Sequence, residues 1–180
     1  MKNQYFGDIN DYRKYGLLRA MLGQSVTTTI CWMLTPDGGS SDGRQLAYLH
    51  EPERWRRFDP PLYDCLQRMI FDASLRRRSR NLRGFQRRGI LRGAGFYDAI
   101  LGDDQRDRQQ YFEKLWRKAQ GTDLVFYDPD NGLEIKSVPR GRKRSSKYLY
   151  WDEVVESAGR GHSVLIYQHF PRGLSARVQA

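Results

Sequence analysis

Apolar positions in this chain follow two rhythms. In three places they run almost unbroken: TTTICWML (Thr27 to Leu34), LVFY (Leu124 to Tyr127) and SVLIYQ (Ser163 to Gln168). Short, β-branched or aromatic, and bounded by polar turns, these runs predict strands covered on both faces, as in a parallel sheet. Elsewhere the apolar residues recur at three- and four-residue spacing, which predicts amphipathic helices. YRKYGLLRAML aligns Tyr15, Leu18, Met21 and Leu22, with Asp11 as its expected N-cap and Gly23 as its stop. Pro60 and Pro61 lead into LYDCLQRMIFDASL, whose stripe is Leu62, Leu66, Met69 and Ile70. Asp103 or Asp104 is placed to cap RQQYFEKLWRKA, which aligns Tyr111, Phe112, Leu115 and Trp116. Lys147 to Ser157 predicts a last helix, and a short strand is expected within Gly89 to Leu101.

Apolar strands alternating with amphipathic helices predict an α/β three-layer sandwich around a mainly parallel, Rossmann-like sheet. At 180 residues, without an internal repeat or a dividing linker, the chain reads as a single domain, with an Arg-rich helical insert around 54–92. The stretch after Pro171 lacks any pattern, so the domain is expected to be either minimal or truncated at its C-terminus. The composition, 39% hydrophobic and 13% aromatic, excludes disorder as the main state. No apolar run approaches the roughly 20 residues that span a bilayer, and the N-terminus is polar, so a cytoplasmic protein without a membrane partner is expected. Cys31 and Cys65 match no zinc or redox spacing and read as buried thiols.

Charge changes the picture. The formal net charge is +10, and its distribution is uneven. Leu75 to Arg92 holds eight arginines and no acid, among them Arg76, Arg77, Arg78, Arg87 and Arg88. Lys136 to Lys147 holds six basic residues, including Arg142, Lys143 and Arg144. Two uncompensated clusters point to a nucleic-acid partner, RNA or DNA, with these residues as its expected contacts.

Candidate chemistry gathers where the strands stop. In open α/β sheets ligands bind beyond the carboxyl ends of the strands. TPDGGSSDG follows the first run, DPDNG a middle one and QHFPR the last, so three polar segments are expected to converge on one edge. A surface turn explains DPDNG nearly as well when it is taken alone. Within it Asp128 could accept hydrogen bonds from an amine, while Asp130 could hold a hard cation such as Mg2+ through oxygen ligands. Pro129-Asp130 followed by Glu134-Ile135-Lys136 spells a PD…ExK nuclease string. Its intervening residues are too few to form the turn and second strand that would bring Glu134 beside Asp130. No Walker or GxGxxG frame is present, and of the histidines only His169, at a strand end, is a candidate for the site.

YFGDINDYRKYGLLR, LTPDGGSSDG, DLVFYDPDNGLE, KYLYWDEV and VLIYQH together resemble a bacterial and phage protein family, a similarity that touches most of the chain. More distantly, the order of parts is similar to the S-adenosylmethionine-dependent adenine-N6 methyltransferases of large-subunit ribosomal RNA. Those proteins begin with a Gly-Asn-x-x-Asp-x-x-Lys segment, where this chain has Asp8, Asn10, Asp11 and Lys14. A Thr-x-x-Gly loop follows their first strand, matched loosely by Thr35, Asp37 and Gly38. A later strand ends in Asp-Pro-Pro-Tyr, matched by Asp128 and Pro129. The resemblance implies that Lys14, Thr35, Asp37, Gly38 and Gly39 contact the cofactor and that Asp128, Pro129, Asp130 and Asn131 form the catalytic segment. Asp128 would orient the target amine. Asp130 and Asn131 depart from the pattern, since a carboxylate cannot stack on a base. The expected function is therefore a methyltransferase-like protein acting on nucleic acid. A Mg2+-dependent phosphodiester enzyme using Asp128, Asp130 and Glu134, or a non-catalytic nucleic-acid-binding protein, stands as the alternative.

Overall fold

The computed structural model describes residues 2–3, 6–36, 45–72 and 82–169. It is an α/β fold whose main sheet is wholly parallel. In chain order the elements are α1 (Ile9–Leu22), β1 (Thr28–Cys31), α2 (Pro52–Trp55), α3 (Pro60–Phe71), α4 (Leu82–Arg87), β2 (Gly95–Tyr97), α5 (Gln105–Lys118), β3 (Leu124–Tyr127), β4 (Gly132–Leu133), β5 (Tyr148–Leu149), α6 (Trp151–Gly159) and β6 (Ser163–Ile166). The sheet order is β2-β1-β3-β6, with β1 pairing in parallel to both β2 and β3, and β3 to β6. Connections from β1 therefore run to one side and those from β3 to the other, opening a crevice between their carboxyl ends.

Alternation along the central strands divides the core. Ile30 and Phe126 pack with Tyr15, Leu18, Leu62, Tyr63, Leu66 and Phe85 under α1, α3 and α4. Cys31, Val125 and Tyr127 pack with Tyr111, Phe112 and Leu115 of α5 on the other face. The central strands β1 and β3 are buried along their whole length, whereas the edge strands β2 and β6 are only partly so. That is why the central pair reads as continuous apolar sequence. Both cysteines are buried free thiols. Among the described residues, no helix is long and apolar enough to cross a membrane.

Local chemistry sets the element ends, and two differ from expectation. Asp8, not Asp11, caps α1, accepting from the N–H groups of Asn10 and Asp11; Asp11 lies one turn inside and faces inward. The last helix begins at Trp151 rather than Lys147. Ser145–Lys147 form a 3-10 turn, and Tyr148–Leu149 pair in parallel with Gly132–Leu133. That pairing is long-range and leaves no periodic signal in so short a segment. At α3 and α5, Asp59 and Asp104 accept from first-turn N–H groups, as an N-cap must.

Candidate functional site

The crevice is built from α1 and the ends of three strands. Lys14 projects from the second turn of α1, and its Nζ lies 2.8 Å from Asp11 Oδ1 and 2.8 Å from Asp128 Oδ2. Asp128 follows directly on β3, its N–H donating to the Cys31 carbonyl and so extending the ladder by one step. Asp11 Oδ2 accepts from the Gly7 N–H at 2.8 Å. Beyond β1, Thr35 Oγ1 donates to Asp130 Oδ2 at 3.0 Å, tying the first loop to the β3 tip. From β6 comes Tyr167, whose ring centroid is 4.4 Å from Lys14 Nζ, with His169 packed edge-on against that ring. Asp11, Lys14, Thr35 and Asp128 are all buried.

The electrostatics follow from this burial. Leaving water disfavours the Lys14 ammonium, but Asp11 and Asp128 outweigh that cost and hold its pKa well above the ordinary lysine range. Asp11 is pushed up to about 6, chiefly by burial, against the pull of Lys14 and with Asp8 and Asp128 adding repulsion. Desolvation, then the nearby Lys14 charge, lowers the pKa of His169, so its ring is neutral at physiological pH. Asp11 and Asp128 both contact the Lys14 ammonium, and Asp130, two residues beyond Asp128, is tied to Thr35.

The rest of the DPDNG segment is fixed by the fold. The Asn131 N–H donates to the Lys147 carbonyl. Gly132 has φ +94°, and a Cβ there would stand 2.4 Å from Gln168 Oε1, so glycine is required. Gln168 Oε1 also accepts from the Leu133 N–H at 2.8 Å, locking the end of β6 onto this turn. Tyr127 faces the opposite side of the sheet, where its hydroxyl meets Ser157 Oγ at 2.6 Å. Glu134 lies outside the crevice and accepts from the Trp151 N–H at the start of α6.

The structure thus brings together Lys14, Thr35, Asp128 and Asp130, with Pro129 and Asn131 in the intervening turn. Asp37, Gly38, Gly39, Arg76, Arg77 and Arg78 lie outside the described residues. Arg87 and Arg88 are exposed at the end of α4. They lie toward the far end of α1, since Arg19, in its last turn, donates to the neighbouring Ile90 carbonyl. Arg142, Lys143 and Arg144 are exposed as well. The Arg144 N–H donates to Asp103, just before α5, which places this cluster at the carboxyl-end rim of the sheet. Tyr167 is not singled out by sequence reasoning, and Asp11, expected as a helix cap and a motif position, is not expected among the site residues. For Asp11 a signal exists: the stripe of Tyr15 and Leu18, continued one turn back, falls on it.

Among the described residues no group of three or more His, Cys, Asp or Glu side chains is arranged to hold a metal ion. No protein-family model, curated protein or solved structure matches this chain.

Proposed function

We propose that this chain is a Rossmann-like, S-adenosylmethionine-dependent methyltransferase-like protein that acts on nucleic acid. The observation that carries the reading is the acidic cluster of Asp11, Lys14, Asp128 and Asp130 at the crevice between β1 and β3. Carboxylates and an ammonium side by side at the strand ends offer acceptors for the α-amino group and a donor for the carboxylate of such a cofactor. When bound, the cofactor supplies an electrophilic methyl group. Lys14, Thr35 and Asp130 are the described residues that would hold it.

The chain's own part is positioning, which does most of the work in transfer to an exocyclic amine. The Asp128 carboxylate and the Pro129 carbonyl are the acceptors for the N–H bonds of that amine. Lys14 orients Asp128 through their 2.8 Å contact, and the neutral His169 adds no competing charge. An acidic centre repels phosphate while the basic rim attracts it, so a polynucleotide lies with its backbone outward and a base inward. Asn131 stands where the methyltransferases that this chain resembles carry a stacking ring, and Asp130, in place of their second proline, accepts from Thr35. Asp11 and Asp128 share the Lys14 ammonium, while Glu134, a ligand in the metal-dependent alternative, is engaged by the Trp151 N–H outside the site.

Calorimetry with S-adenosylmethionine, followed by transfer of its labelled methyl group to RNA or DNA, tests the reading. Asp128→Asn is expected to abolish transfer while leaving polyanion affinity unchanged. Absence of cofactor binding, with salt-sensitive nucleic-acid binding retained, would instead assign a non-catalytic binding protein. Mg2+-dependent cleavage would replace the proposal with a nuclease.

A further inference from the structure

The other side of α1 carries a groove that the crevice does not use. Tyr12, Arg13, Gly16, Leu17, Trp55, Phe58 and Asp59 line it, and its volume is about 350 Å³, within the range of small-ligand sites. Its apolar surface lies open: Phe58 is 65% and Leu17 52% exposed. The floor is fixed, because the Tyr12 hydroxyl donates to the Trp55 carbonyl and accepts from the Asp59 N–H. The Trp55 and Phe58 rings lie 6.3 Å apart, tilted by 55°.

Charge interleaves with these rings. The Arg54 guanidinium lies 5.1 Å from the Trp55 ring centroid and that of Arg57 4.9 Å from Phe58. Asp59, the one carboxylate in the lining, is neutralised by Arg19 at 2.7 Å. Arg13 and Arg57 have no carboxylate partner among the described residues. An open aromatic surface rimmed by unpaired guanidiniums suits a ligand with flat π-faces and regularly spaced negative charge.

We infer that this groove is a base-stacking site for single-stranded nucleic acid, with a base against Phe58 and Leu17 and the adjoining phosphates on Arg13 and Arg57. Duplex DNA or RNA does not fit, because its π-faces are already stacked. The inference rests on the nucleic-acid part of the function proposed above and is independent of methyl transfer. Because Arg13 is next to Lys14 on α1, one helix would hold the strand on one side and contribute to the crevice on the other.

Fluorescence anisotropy with labelled homopolymers of uridine and of thymidine, without cofactor, tests it and distinguishes RNA from DNA as the natural strand. Phe58→Ala is expected to weaken binding about tenfold, with little change in its dependence on salt, as loss of one stacked base should. Phe58→Trp should retain affinity. The double variant Arg13→Ala, Arg57→Ala should reduce the slope of log affinity against log salt by about one to two. Unaltered binding by Phe58→Ala, or equal affinity for a duplex, would overturn the groove and leave the crevice proposal standing. If the wild-type protein binds no single strand, both the groove and a single-stranded substrate for the crevice fall together.

Discussion

Under α5, Arg108 and Glu153 form a buried bidentate pair between helices, and under α1, Lys14 is buried between two carboxylates, Asp11 and Asp128, at the carboxyl end of β3. Arg108 donates from Nε and NH2 to the two oxygens of Glu153 at 2.5 and 2.8 Å. Its remaining bonds go to the Ser145 and Tyr148 carbonyls, and its guanidinium packs against Phe112 and Tyr150. Glu153 also accepts from the Tyr150 N–H. This pair, with Arg140 4.0 Å from Glu153 as a second cation, fastens α5 to the short β5 segment and to α6. The Lys14 cluster differs in composition and place: one ammonium lies between two carboxylates, Asp11 and Asp128, at the strand ends. The Arg108 pair ties elements together, whereas the Lys14 cluster sits at the edge where open α/β sheets hold their ligands.

The largest effect tests the architectural half. Arg108→Met leaves the buried Glu153 with only the more distant Arg140, 4.0 Å away, and removing one partner of such a pair costs about 3–5 kcal/mol. Denaturant melts at neutral pH should show that loss. A loss below about 1 kcal/mol would mean that the pair contributes little and that the contrast is false.

Lys14→Met should cost less and depend on pH. The variant leaves Asp11 and Asp128 facing one another in a buried site, at about 3 kcal/mol in alkaline solution. At pH 5 the Asp11 carboxyl, already pushed up to about 6 in the native protein, takes a proton and relieves the repulsion. Most of the loss should then disappear. A pH-independent loss equal to that of Arg108→Met would place Lys14 in the same architectural class.

The sequence reveals this contrast only in part. Strand β3, Leu124–Tyr127, is legible residue for residue because burial on both faces imposes an unbroken apolar run. The convergence of Thr35 with Asp130 follows from the rule that parallel strands end on one edge. Asp11, Lys14 and Arg108 are harder, since each is a charged residue on the buried stripe of an otherwise amphipathic helix. Arg108 lies three and four residues before Tyr111 and Phe112, on the face that points inward. Periodicity reports that such a residue is buried but cannot name its partner, which lies 45 residues on for Arg108 and 114 for Lys14. The parallel pairing of β4 with β5 is invisible for the same reason: two residues on each side carry no rhythm.

The smallest effect concerns Asp11 alone. Its folded-state pKa of about 6 lies above the ordinary aspartate value, so the native protein holds this proton more tightly than the unfolded chain does. The resulting stabilisation is complete below the unfolded pKa, near pH 4, and is lost as pH rises through about 6. Asn at this position keeps an oxygen for the Gly7 N–H and mimics the protonated acid. Relative to wild type, Asp11→Asn should therefore gain stability progressively as pH rises from 4 to 7. Chemical denaturation at half-unit steps would resolve the drift. A change of the opposite sign would show that Lys14 dominates burial at Asp11, and the cluster would then resemble the balanced pair under α5.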